Sequence, residues 1–179
     1  MKKILAIVLS LVLVVSLAAC GGASDDTINV GVVQLIQHDA LDAATLGFVD
    51  TLKAEFGDKV VIDVQNASGE ATNCTTIVNG FVSSNVDLIM ANATPALLAA
   101  ANATTTIPVL GTSVTDYADT FAGNIPANVS GTSDAVPFAE QAQMMIDTLG
   151  LVAGDKVGVI YCSNESNSLV QYKAVKALF

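Results

Sequence analysis

The chain has 179 residues and a formal net charge of −10, with 17 acidic residues against seven basic ones, all of them lysines. An acidic chain without arginine lacks the usual means of gripping phosphates, which argues against nucleic acid as a partner. Hydrophobic residues make up 52% of the sequence. Part of that lies before Cys20, but the remainder is still rich in Ala, Val, Ile and Leu, as a globular α/β domain around a buried sheet requires.

The first residues have the three parts of a secretory signal. Lys2 and Lys3 supply positive charge, Ile4 to Ala19 is an apolar run broken only by Ser10 and Ser16, and Ala18 and Ala19 lead into Cys20. Residues 1–19 are therefore expected to be an export signal. Leu17-Ala18-Ala19-Cys20 resembles the bacterial lipobox, where the Cys sulfur is acylated and the bond before it is cut. A plain signal anchor is the alternative, but the run is short for a span, which needs about 20 residues. Residues 20–27 then form a lipidated Cys and a flexible tether, placing the protein outside the cell and lipid-anchored to the outer face of its membrane. Several acyl chains hold firmly where one is marginal, at about 0.8 kcal/mol per buried methylene.

Behind the tether, short apolar runs alternate with helical periodicity. Ile28 to Val33 reads as a strand; Leu41, Ala44, Thr45, Phe48, Val49, Leu52 and Phe56 then follow the spacing of an amphipathic helix. Asp39 is the expected N-cap and Gly57 the stop. Val60 to Val64 is a second strand, followed by a helix over about Glu70 to Ser83, and Asp87 to Ala91 is a third. Thr94-Pro95 reads as an N-cap with Pro at the first helical position, opening an Ala/Leu-rich helix. Ile107 to Leu110 is a fourth strand, and Asn128 to Thr132 a connecting one within a looser stretch. A helix over Phe138 to Leu149, a strand over Lys156 to Tyr161 and a last helix from Ser166, still running at Phe179, complete the chain. Such alternation means βαβ units and a parallel sheet. One strand and two helices after Ser133 are too little to cover their own apolar faces, so the chain is expected to be truncated within a second domain.

Val30 to Leu35 with His38 and Ala40 to Ala44, Gln65-Asn66-Ala67-Ser68-Gly69, Ala93-Thr94-Pro95, Val114-Thr115-Asp116, Gly131-Thr132-Ser133-Asp134, Gly158 to Tyr161 and Ser163 to Ser168 together resemble the substrate-binding lipoproteins of ABC importers in the tryptophan/tyrosine-binding group. Each segment alone is weak; in this order they are specific. The resemblance implies the periplasmic-binding-protein type I fold: a flavodoxin-like parallel-sheet lobe over residues 28–132 with helices on both faces, and the start of a second similar lobe at 133–179.

Ligands of open parallel sheets bind beyond the carboxyl ends of the strands. That placement selects Gln34 and His38 after the first strand, Thr94 and Pro95 after the third, and Ser113, Thr115 and Asp116 after the fourth. Ser163 to Ser168 follows the second lobe's strand and would face them, with Ser163, Asn164 and Glu165 as its candidate ligand contacts. A helix start at Thr94 suits a carboxylate, unless Thr94 only caps its own helix. An ammonium group would need Asp116, Asp134 or Glu165, which are otherwise solvated loop acids. Tyr117 and Phe121 are candidates for stacking on an aromatic ligand or for pinning their loop.

Enzyme chemistry is not expected. There is no Cys/His cluster at metal spacing, no G-x-S-x-G elbow for a triad built on His38, and no Gly-rich phosphate loop after a strand; no cofactor is implied. The expected function is delivery of a small solute, an aromatic amino acid, to an ABC permease and ATPase by closure of two lobes. The alternatives are another amino acid, a sugar or a nucleoside as ligand, a sensor or adhesin, or a non-functional fragment.

Overall fold

The computed structural model describes residues 27–179; the expected export signal and lipidated Cys20 lie outside the described residues. The elements are β1 (Ile28–Gln34), α1 (Asp39–Phe56), β2 (Val60–Asn66), α2 (Ala71–Ser83), β3 (Leu88–Asn92), α3 (Thr94–Ala103), β4 (Val109–Val114), α4 (Tyr117–Thr120), β5 (Val129–Ser133), α5 (Phe138–Leu149) and α6 (Ser166–Lys176). The five strands are all parallel, in the order β2-β1-β3-β4-β5. In that order the chain leaves β1 first to one side and later to the other. A crevice therefore opens at the carboxyl ends of β1 and β3, where the connections diverge.

Side chains alternate across the sheet with the strand period of two. On one face Val33, Ile89, Ala91 and Val109 bury themselves against Cys74, Val78 and Phe81 of α2 and Ala96, Leu97 and Ala100 of α3. On the other face Val30, Val32, Val60 and Met90 meet Phe48 and Leu52 of α1. The central strands are apolar on both sides because both are covered. β2 is an edge, and its Val61 and Val64 remain exposed.

Several boundaries differ from expectation, each for a local reason. His38, not Asp39, caps α1: its Nδ1 accepts the Ala40 N–H at 3.2 Å. The N-cap of α3 is Ala93, so Thr94 is already helical and Pro95 follows it. The short helix α4 was not expected; Asp116 starts it by accepting the Asp119 N–H at 2.9 Å. α6 ends at Lys176 rather than running to Phe179. Residues 156–161 form no ladder, because a strand exists through its partner and β5 is the last strand among the described residues. Cys74 and Cys162 are both free, so no disulfide joins them. Cys74 is buried on the inner face of α2, and burial pushes its pKa up.

Candidate functional site

The loops after β1, β2 and β3 meet the segment before α6 around a cavity of about 450 Å³. Leu35, Gly69, Glu70, Ala71, Thr94, Pro95 and Leu98 line it from the sheet side, and Cys162, Asn164, Glu165, Ser166 and Asn167 from the other. Three helices begin at this cavity: α2 behind Glu70, α3 behind Ala93 and α6 behind Glu165. None has a side chain capping its first turn. The first N–H groups of a helix have no intrahelical acceptor, so the positive ends of three helix dipoles are left open to an anion.

Buried polar side chains at the cavity are left open as well. Thr94 is only 3% exposed, yet its Oγ1 has no hydrogen-bond partner, and neither do Ser166 Oγ and Asn167 Oδ1. A buried polar atom without a partner costs about 1–3 kcal/mol. Ala93 adds strain, with φ 91° and ψ 155°, a region nearly reserved for glycine that costs about 1–3 kcal/mol. It is held there by its own N–H on Thr112 O and by Leu97 N–H on its carbonyl, both at 3.0 Å. The turn at Ala93 takes the chain from β3 directly into α3 and sets Thr94 at the cavity wall.

Of the residues expected from sequence, Thr94, Pro95, Asn164 and Glu165 are brought together here. Ser163 is exposed beside them but does not line the cavity. Gln34 is buried and fully employed elsewhere: its Nε2 donates to Ile36 O at 2.8 Å and to Asp42 Oδ1, and its Oε1 accepts from Thr45 Oγ1 at 2.6 Å. Asn92 Nδ2 in turn donates to Thr45 Oγ1 at 2.9 Å and to Leu41 O at 2.8 Å. This network ties the start of α1 to the ends of β1 and β3. Thr45→Val should therefore destabilise the fold by about 1–3 kcal/mol, since it leaves the buried Gln34 Oε1 without a donor and takes one of two acceptors from Asn92 Nδ2. A lowered urea midpoint would show it.

His38 is occupied as the α1 cap, and Asp116 as the α4 cap. Ser113 sits at φ 55° within the irregular stretch of β4. Thr115 is buried, with its carbonyl accepting Ser133 Oγ at 2.8 Å. Asp134 is exposed. It lies near Tyr117, whose phenol is pushed up in pKa by burial first and by the Asp134 charge second. Tyr117 and Phe121 pack on the core rather than on the cavity. Leu35, Ser166 and Asn167 lie within the stretches expected at the strand ends, whereas sequence reasoning missed Gly69, Glu70, Ala71, Leu98 and Cys162. The signal available was Gln65-Asn66-Ala67-Ser68-Gly69 after β2, which strand order alone could bring beside the loop after β1.

A family model described as ABC transporter substrate binding protein matches residues 29–179. A tyrosine-binding protein of Clostridioides difficile (strain R20291) is 40% identical over 152 residues, covering 80% of this chain and 43% of the relative. An ABC domain from Streptococcus pneumoniae, solved in complex with L-Trp, is 32% identical with a TM-score of 0.75, over 85% of this chain and 53% of that one. A leucine-binding protein from Thermotoga maritima, at 16% identity and a TM-score of 0.66 over 86% of this chain and 45% of that one, shares the fold. The fold is that of the type I periplasmic binding proteins. The chain spans about half the length of these relatives, which are substrate-binding proteins rather than enzymes.

Proposed function

We propose that this chain, which belongs to the family of ABC transporter substrate-binding proteins, receives an aromatic amino acid in the cavity at Thr94 and delivers it to an importer's permease and ATPase. The observation that carries this reading is the unpartnered, buried Thr94 hydroxyl among three uncapped helix starts. A ligand carboxylate there gains charge-assisted hydrogen bonds from N–H groups and from Thr94, without any arginine. Leu35, Pro95 and Leu98 offer apolar wall for the ligand's side chain, and a volume of about 450 Å³ suits a small molecule. Aromatic preference is supported by the tyrosine and L-Trp named for the relatives.

In this reading residues 28–132 and 133–179 belong to two lobes that hinge shut on the ligand. The export signal takes the chain across the membrane and is cut away, and an acylated Cys20 holds the receptor at the outer face beside its transporter. No aromatic side chain lines the cavity, which favours an aliphatic amino acid as the second reading.

Calorimetric titration of the chain lacking residues 1–20 with the twenty amino acids tests both. Saturable heat with tyrosine or tryptophan is the expected result, heat with leucine or isoleucine alone selects the second reading, and silence from all twenty overturns both. Thiol labelling gives an independent check, because Cys162 is exposed at the cavity and Cys74 is buried. A maleimide should label Cys162 and spare Cys74 in the folded chain, and bound ligand should slow that labelling. Equal labelling with and without ligand would place the ligand elsewhere.

A further inference from the structure

We propose that Glu70 and Glu165 form an ammonium clamp across the cavity, so that the site accepts a zwitterion and rejects the corresponding simple acid; this rests on the reading of the cavity as an amino-acid site. Glu70 precedes α2 on the sheet side and Glu165 precedes α6 on the opposite wall. Each occupies an N-cap position without using its carboxylate as the cap. Both glutamates line the cavity, and its lining contains no lysine or histidine.

Like charges that share a cavity repel. An ammonium group placed between them reverses that sign, and Ser166 Oγ and Asn167 Oδ1, both unpartnered, supply further acceptors. The donors for the other half of the ligand are the buried Thr94 hydroxyl and the first N–H groups of α3. The two halves of a zwitterion thus meet opposite chemistry within one cavity. A des-amino acid leaves the two carboxylates uncompensated and adds a third. A plain amine leaves Thr94 and the helix ends unpaired. Discrimination of this kind comes from the group left unsatisfied by the wrong ligand as much as from the right one.

The test is titration of the full chain in detergent micelles with L-tyrosine, its des-amino analogue 3-(4-hydroxyphenyl)propanoate, and tyramine. Glu70→Gln and Glu165→Gln are each expected to weaken tyrosine binding about 10- to 100-fold, the range of a hydrogen bond to a charged group. Affinity for the des-amino acid should hold or rise, so that its disadvantage against tyrosine shrinks in each variant. The thermal midpoint of the ligand-free chain should not fall, since neither carboxylate serves as a cap in the free protein. Equal losses for tyrosine and the des-amino acid, or no loss for tyrosine, would overturn the clamp while leaving the amino-acid site standing. Saturable binding of calcium chloride alone that is lost in Glu70→Gln would replace the ammonium with a metal ion. If the unsubstituted chain binds no amino acid, the parent reading fails and the clamp with it.

Discussion

Gly131→Ala is expected to destabilise the fold by about 3 kcal/mol or more, lowering the urea midpoint steeply. Gly131 lies opposite Gly111 in the β4–β5 register and has φ 153°. A Cβ there would run into the carbonyl oxygen and amide nitrogen of Gly111 and into the Tyr117 hydroxyl. Backbone atoms inside a ladder cannot step aside as a flexible side chain can, so the strands would have to part. Tyr117 would also lose its place over the pair, where its hydroxyl donates to Thr132 O at 3.3 Å. Gly123→Ala is the control. It too has a positive φ, of 83°, but nothing lies within 4 Å of its Cβ, so it should cost only about 1 kcal/mol. Equal costs at the two positions would show that backbone conformation, not the close approach of β4 and β5, governs Gly131. The β4–β5 edge does not line the cavity at Thr94, so whatever Gly131→Ala protein remains folded should bind as before.

The elements of the sheet were legible because their burial is periodic. β1 and β3 are apolar on both faces, and α1 and α2 carry one apolar stripe each, so type and rough extent follow from composition alone. Strand order is not local in this way. Nothing in Gln65-Asn66-Ala67-Ser68-Gly69 says that β2 pairs with β1 while β4 stands two strands away from it. Local sequence therefore does not say which loop stands beside the loop after β1, and Glu70 reaches the cavity only through the strand order.

The capping residues went astray for a related reason. Ala93-Thr94-Pro95 reads most simply as Thr cap then Pro, since a cap in a glycine-like conformation is not expected of alanine. Asp116 and His38 are polar residues at strand ends, and from sequence a helix cap and a ligand contact look alike. Gln34 is buried at the tip of its strand, and its partners Asp42 and Thr45 come from α1, with Asn92 of β3 bonded in turn to Thr45. Lys156 to Tyr161 has strand composition, and only a neighbouring strand could have made it one.

Thr94→Val should move stability and affinity in opposite directions. In the free chain the substitution removes a buried hydroxyl that has no partner and keeps a β-branched side chain of nearly the same shape, so the thermal midpoint should hold or rise, by the equivalent of about 1 kcal/mol. In the complex it removes a donor to the ligand carboxylate. A hydrogen bond to a charged group contributes about 1.5–3 kcal/mol, and each 1.4 kcal/mol is about tenfold in affinity, so binding of the selected amino acid should weaken about 10- to 100-fold. Thr94→Ser retains the hydroxyl and should stay within a few-fold of the original affinity. The opposed signs are what make the experiment decisive. A threonine that serves the fold loses stability when its hydroxyl goes, whereas one held ready for a ligand gives stability back, as strained and unsatisfied groups at binding sites do. A fall in thermal midpoint with unchanged calorimetric affinity would mean that the hydroxyl finds its partner within the chain, and the carboxylate would then have to be held by the helix ends alone.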